Sequence, residues 1–198
     1  MCSSAPEWCS WATSSLEGWW RKLSELEKLF NKKLFVWGGI FALGAACGAL
    51  GHKAILPHMV SLIDVGLRAS GRLSAGSGVE AALFIFMKNL SVVFLCALLG
   101  RGTRGTFPAL VCFINGGILG FLGAVMRAYG DVSWWRYVAA LSPHGVIELV
   151  AVFAACTVGM LKAPVKKKLR LLGAPLAMLA VAACVETWIS SGLASRIL

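Results

Sequence analysis

The sequence predicts an all-α, polytopic membrane bundle of about five transmembrane helices with its N-terminus inside the cell. Three observations carry this prediction. Of 198 residues, 58% are hydrophobic and only 14% charged, and the mean hydropathy is +0.77, far from the balance of a soluble domain. The apolar residues fall into runs of the length needed to cross a hydrocarbon core of about 30 Å. The basic residues lie between those runs, so the net charge of +10 is what membrane topology requires and does not point to nucleic acid.

Two regions follow, a cytoplasmic amphipathic segment over 1–33 and a membrane domain over 34–198. The first lacks the apolar core of a signal peptide, so it is expected to stay attached. From Thr13 to Lys33, Leu16, Trp19, Trp20, Leu23, Leu26, Leu29 and Phe30 recur at helical spacing opposite a charged face. Such a helix lies on a lipid surface or packs on the protein's own loops.

The first span is predicted over 34–50, where Gly44-xxx-Gly48 lets another backbone approach closely. The loop after it carries an amphipathic stripe from Ile55 through Leu67, read as an interfacial helix, then a flexible Ser70-to-Gly78 segment. The second span, 79–100, has Lys88 and Asn89 near its middle. The third, 106–126, has Asn115 followed by Gly116 and Gly120, a second small-residue pair for packing helices or copies of the chain. In the fourth, 142–161, Ser142 serves as N-cap and Pro143 as first-turn proline, with Tyr137 to Leu141 as a broken or re-entrant approach. The fifth, 171–190, carries Glu186 near its end.

Counting Lys and Arg sets the orientation. One side receives Arg21, Lys22, Lys28, Lys32, Lys33, Arg101, Arg104, Lys162, Lys166, Lys167, Lys168 and Arg170, the other only Lys53, Arg68, Arg72, Arg127, Arg136 and Arg196. The excess belongs inside. The run from Lys166 to Arg170 then reads as an anchor beside anionic lipid.

The chemistry concentrates in Ser142-Pro143-His144-Gly145-Val146-Ile147-Glu148. An imidazole and a carboxylate four residues apart share a helix face, and a carboxylate inside a bilayer is a functional-site hypothesis by default. With the fourth span entering at Ser142, His144 lies about 3 Å and Glu148 about 9 Å deep. Glu186 lies about 8 Å below the same surface, while Lys88, Asn89 and Asn115 form a second layer about 14–16 Å down. The expected arrangement is an outward-opening cleft of Lys88, Asn89, Asn115, His144, Glu148 and Glu186, closed below by the asparagines. The competing reading makes these groups structural hydrogen bonds between helices, with His144 capped or wetted by headgroups. His144, Glu148 and Glu186 are weak metal candidates, since no HExxH and no second histidine stand with them. Neither Ser91 nor Ser142 has the base and acid that a hydrolase requires. Cys47, Cys96, Cys112, Cys156 and Cys184 lie in apolar runs as small packing residues. Cys2 and Cys9 form no CxxC motif.

Phe86 with Asn89, Asn115-Gly116-xxx-Gly120, Pro143-His144-Gly145-xx-Glu148-Leu149 with Ala151, and Ala182-Ala183-xx-Glu186 together resemble the stage II sporulation protein M family over Leu34 to Ser190. Lys88 departs from the neutral polar residue that the family more often places beside the asparagine. The resemblance implies a five-span membrane protein. In endospore formers the namesake scaffolds peptidoglycan-degrading partners at the septum during engulfment. The expectation is therefore a non-enzymatic scaffold of the prokaryotic cytoplasmic membrane, without a cofactor. Its expected partners are the lipid bilayer, membrane or cell-envelope proteins and further copies of itself. A transporter or ion-conducting protein using the cleft is the alternative, and an intramembrane metalloenzyme the third reading.

Overall fold

The structure is a computed structural model and describes residues 32–58 and 78–190. The amphipathic segment expected before Lys32, the stripe from Met59 to Leu67 and Ser70 to Ser77 lie outside the described residues. Every described element is helical: α1 (Lys32–His58), α2 (Gly78–Leu99), α3 (Thr106–Tyr129), α4 (Trp134–Gly159), α5 (Val165–Leu171) and α6 (Gly173–Val185). A π-helical turn, Glu186–Ser190, continues α6. Helices satisfy their own backbone groups, which is what a chain crossing hydrocarbon needs.

Four helices are long and apolar enough to cross a membrane, and a fifth crossing is made if α5 and Gly173–Ile189 count as one span bent by 42°. The bend has a local cause. Pro175 has no N–H for the Leu171 carbonyl, and Gly173 beside it weakens the helix further. The fifth span is therefore not the straight run over 171–190 that hydropathy alone implies. The first is longer than expected, and Ile55 and Leu56 close α1 where a separate interfacial helix was predicted to begin.

α1, α3 and α6 run one way and α2 and α4 the other. This sends Lys32, Lys33, Arg101, Arg104, Lys162, Lys166, Lys167 and Arg170 to one end, where no described residue is acidic, and Lys53, Arg127 and Arg136 to the other. α4 is central. It packs against α2 and α6 through Val93, Cys96 and Ala97, and through Leu179, Ala182 and Ala183, all buried. Small residues predominate because, between lipid-bathed helices, close van der Waals approach replaces the hydrophobic effect as the source of packing energy.

The two glycine pairs meet each other. A Cβ on Gly44 would overlap the Phe113 carbonyl, one on Gly48 the Gly117 carbonyl, one on Gly116 the Phe41 carbonyl and one on Gly120 the Ala45 carbonyl. α1 and α3 thus lie backbone to backbone, and both motifs serve a contact within one chain. α1 is also tied to α4, since Trp37 Nε1 donates to Thr157 Oγ1 at 3.2 Å and Phe41 meets Phe153 edge to face at 6.0 Å. At the other end of α4, the Tyr137 hydroxyl donates to the Leu119 carbonyl of α3 at 2.9 Å.

Lys168 departs from its expected place in the lipid anchor. Only 5% exposed, its Nζ donates to the carbonyls of Gly159 at 2.7 Å and Ala97 at 3.3 Å. Those carbonyls close α4 and α2, where helix ends leave acceptors without partners and carry partial negative charge. The ammonium clasps the two ends and turns Lys166, Lys167 and Arg170 outward.

Two outcomes follow for unfolding measured in detergent titrations. Gly48→Val forces a side chain into the Gly117 backbone and should lose about 1–3 kcal/mol, whereas Gly39→Ala, with nothing within 4 Å of the added carbon, should lose nothing. Lys168→Ala removes a charged donor from two helix-end carbonyls and should lose about 1.5–3 kcal/mol, and an unchanged midpoint would contradict the clasp.

Candidate functional site

The decisive local feature is that α4 does not begin at Ser142. Its N-cap is Ser133, whose side chain accepts from the Arg136 N–H at 3.4 Å, and Pro143 lies inside the helix. A proline there removes the N–H that would bond the Ala139 carbonyl. Ser142 Oγ supplies the missing donor, reaching Ala139 O at 3.1 Å. Serine hydroxyls beside proline are one way in which membrane helices stay continuous. The segment from Tyr137 to Leu141 is accordingly part of α4 and neither broken nor re-entrant.

Moving the start of the helix moves the site. Counted from Trp134, Glu148 is about 21 Å along α4 and near its middle. Asn89 is likewise near the middle of α2. The two expected layers collapse into one, and Asn89 Nδ2 donates directly to Glu148 Oε1. The asparagine stands beside the carboxylate instead of forming a floor beneath it.

The pair faces a chamber of about 260 Å³ bordered by α1 to α4. Lys88, Asn115 and His144 also line it. His144 is buried, with 8% of its surface exposed, so it is an interior residue and not one at an interfacial rim. Asn115, exposed on α3, directs Nδ2 to the Val111 carbonyl of its own helix at 2.8 Å. Lys88 is exposed on α2. Glu186 is the one predicted residue absent from the lining. It begins the π-helical turn that packs on both α2 and α4. π-helical turns are uncommon and often occur at functional positions.

The arrangement can hold a hydrogen-bonding group or a proton at half-depth. Among the described residues, no three of His, Cys, Asp and Glu come together as an ion-binding group, so His144, Glu148 and Glu186 are not assembled as a ligand set. Sequence reasoning missed two contributors. Cys112 lines the chamber, and its Sγ lies 3.9 Å from that of Cys156. Gly145, between the histidine and the glutamate, lines it too. A glycine in mid-helix was the available signal. Cys47 and Cys184 are exposed, unlike the buried Cys96, Cys112 and Cys156.

Four to five apolar spans around a carboxylate held at half-depth define a multi-pass membrane protein. The chain belongs to the stage II sporulation protein M family, whose profile matches residues 34–191, from the first turn of α1 to just past the π-helical turn. No curated protein and no solved structure matches it.

The Asn89–Glu148 bond is checked by a double-mutant cycle. Asn89→Ala, Glu148→Ala and the double variant should show a coupling of about 1 kcal/mol, the range of side-chain hydrogen bonds between membrane helices. Strict additivity would rule the bond out as an energetic contact.

Proposed function

We propose that the protein is a non-enzymatic scaffold of the prokaryotic cytoplasmic membrane that positions partner proteins in the bilayer. The observation that carries this reading is Lys88. It is exposed halfway along α2, on a helix whose outer face bears Leu83, Met87 and Leu95. An ammonium at that depth beside hydrocarbon is costly, and a transmembrane segment of a partner, offering an acceptor or a carboxylate, relieves the cost. Family membership agrees with it, since the namesake is a sporulation-stage protein. The clustering of basic residues at the end where α1 begins supports an N-terminus inside the cell.

A photo-crosslinking residue at Met87 or Leu83, in protein at native abundance, should yield a discrete protein adduct in intact membranes. Lys88→Met should abolish that adduct and stabilise the isolated protein by about 2–3 kcal/mol, the cost of a lysine at a span's centre. Adducts with lipid alone would sink the scaffold reading.

The chamber favours a second reading, conduction of an ion or proton past Glu148 and Lys88. Proteoliposome flux that falls in Glu148→Gln and Glu186→Gln would establish it, and flux unaffected by both would exclude it.

A further inference from the structure

Gly44, Gly48, Gly116, Gly120 and Gly159 are accounted for by a backbone pressed against them, but Gly145 is not. A Cβ added there would meet nothing within 4 Å, although the residue sits in the middle of α4, where glycine is less favourable than alanine. Gly39 and Gly173 are equally open, yet they border neither of two cavities that Gly145 borders at once. One is the polar chamber. The other is a groove, also about 260 Å³, on the flank of α4 that faces α1 and α3.

The groove is apolar apart from Ser142 and the Tyr137 hydroxyl, which are both engaged by backbone carbonyls. Trp134, Tyr137, Val138 and Val146 line it on α4, with Ala45 and Gly120 opposite. Its α4 face runs from Trp134 to Leu149, about 22 Å of helix, from one end of the span to half-depth. There Leu141, Gly145 and Leu149 of α4 belong to the walls of both cavities, together with Phe41 of α1 and Leu119 of α3. Leucines at such a wall can change rotamer, whereas Gly145 is the position where no side chain intervenes.

We propose that groove and chamber form one binding site, with Gly145 as its doorway, for a lipid-soluble molecule with a single apolar chain and a neutral head bearing a hydroxyl or carbonyl oxygen. The chain lies in the groove and the head enters the chamber, within reach of the Lys88 ammonium and the polar groups of Asn115 and Glu148. Neutrality is required by the surroundings. Glu148 opposes an anionic head, Lys88 opposes a cationic one, and any full charge carries a large desolvation cost at this depth. A helix, about 10–12 Å across, could place only side chains in a groove of about 260 Å³. The proposal goes beyond partner positioning and shares Lys88 with it, but the groove lies on a different flank of the bundle, and variants at Gly145 and Val138 leave Lys88 in place, so the two can fail separately.

The test uses the full chain in phosphatidylcholine nanodiscs with a diazirine-bearing geranylgeraniol as probe. Labelling should map to the peptide holding Leu141 to Leu149. Unlabelled geranylgeraniol, a prenyl benzoquinone and monoolein compete separately, which identifies the head oxygen preferred. At least one should compete at concentrations about tenfold below those needed for oleate or phosphatidylglycerol. Gly145→Leu should cut labelling about tenfold, equivalent to about 1.4 kcal/mol of binding. Gly145→Ala, which favours the helix and adds only a methyl group, and Val138→Trp, which narrows the groove from its exposed side, keep the test valid if the leucine variant does not fold. Both should weaken labelling with the unfolding midpoint preserved. Labelling spread evenly over the lipid-facing surface, competition by phosphatidylglycerol equal to that by the neutral compounds, or labelling unchanged in all three variants would overturn the proposal.

Discussion

The depth of Glu148 depends on the continuation of α4 through Pro143, where Ser142 Oγ donates to the Ala139 carbonyl. Proline inside a helix leaves an acceptor without its donor, and in hydrocarbon no water replaces it. With the serine in place, α4 runs unbroken from Trp134 to Gly159 and carries Glu148 to the level of Asn89. Were the helix to begin at Ser142, the carboxylate would sit closer to the membrane surface, where headgroups and water could solvate it. Continuity through Pro143 is therefore what makes Glu148 an interior group in need of a protein partner.

Around α4 the bundle is assembled by two kinds of contact. On one side, glycines remove side chains so that α1 and α3 touch through their backbones, and the aromatic and hydroxyl contacts of Trp37, Phe41 and Thr157 tie α1 to α4. On the other, small residues of α2 and α6 close on α4, and Lys168 caps the ends of α2 and α4 together. The chamber lies between these halves, where neither glycine contact nor small-residue packing fills the space. A void lined by Asn89, Asn115, His144 and Glu148 has a polarity that dry packing does not require, and this separates it from an ordinary packing defect.

The proposed partner positioning and the proposed amphiphile binding draw mainly on different faces of the bundle. Lys88 looks outward from α2, while the apolar groove lies along α4 toward α1 and α3. They meet in the chamber, whose lining includes both Lys88 and Glu148. A ligand head entering past Gly145 would change the surroundings of Lys88, which gives a physical route by which the two activities could affect each other.

Much of this was legible in the sequence. Hydropathy and the placement of Lys and Arg determined an all-helical membrane bundle, because a span must be apolar along its whole length and its ends must carry the charge. The polar residues within spans, Lys88, Asn89, Asn115, Glu148 and Glu186, stood out for the same reason, and the motifs around them indicated the family. Depth and partnership were not legible. Serine before proline reads equally well as an N-cap or as the repair of an interior helix, and only the packing of Tyr137 on α3 shows which applies, since it draws the preceding turns into the bundle. Lys168 looked like one more member of a basic run, because nothing local reveals that the ends of α2 and α4 converge on it. Gly145 looked like part of a motif, and its open surroundings depend on helices far away in the chain. Composition and period act along the chain and are fixed by the sequence itself, whereas the choice of partner for each polar group is made across helices, where only the tertiary structure decides it.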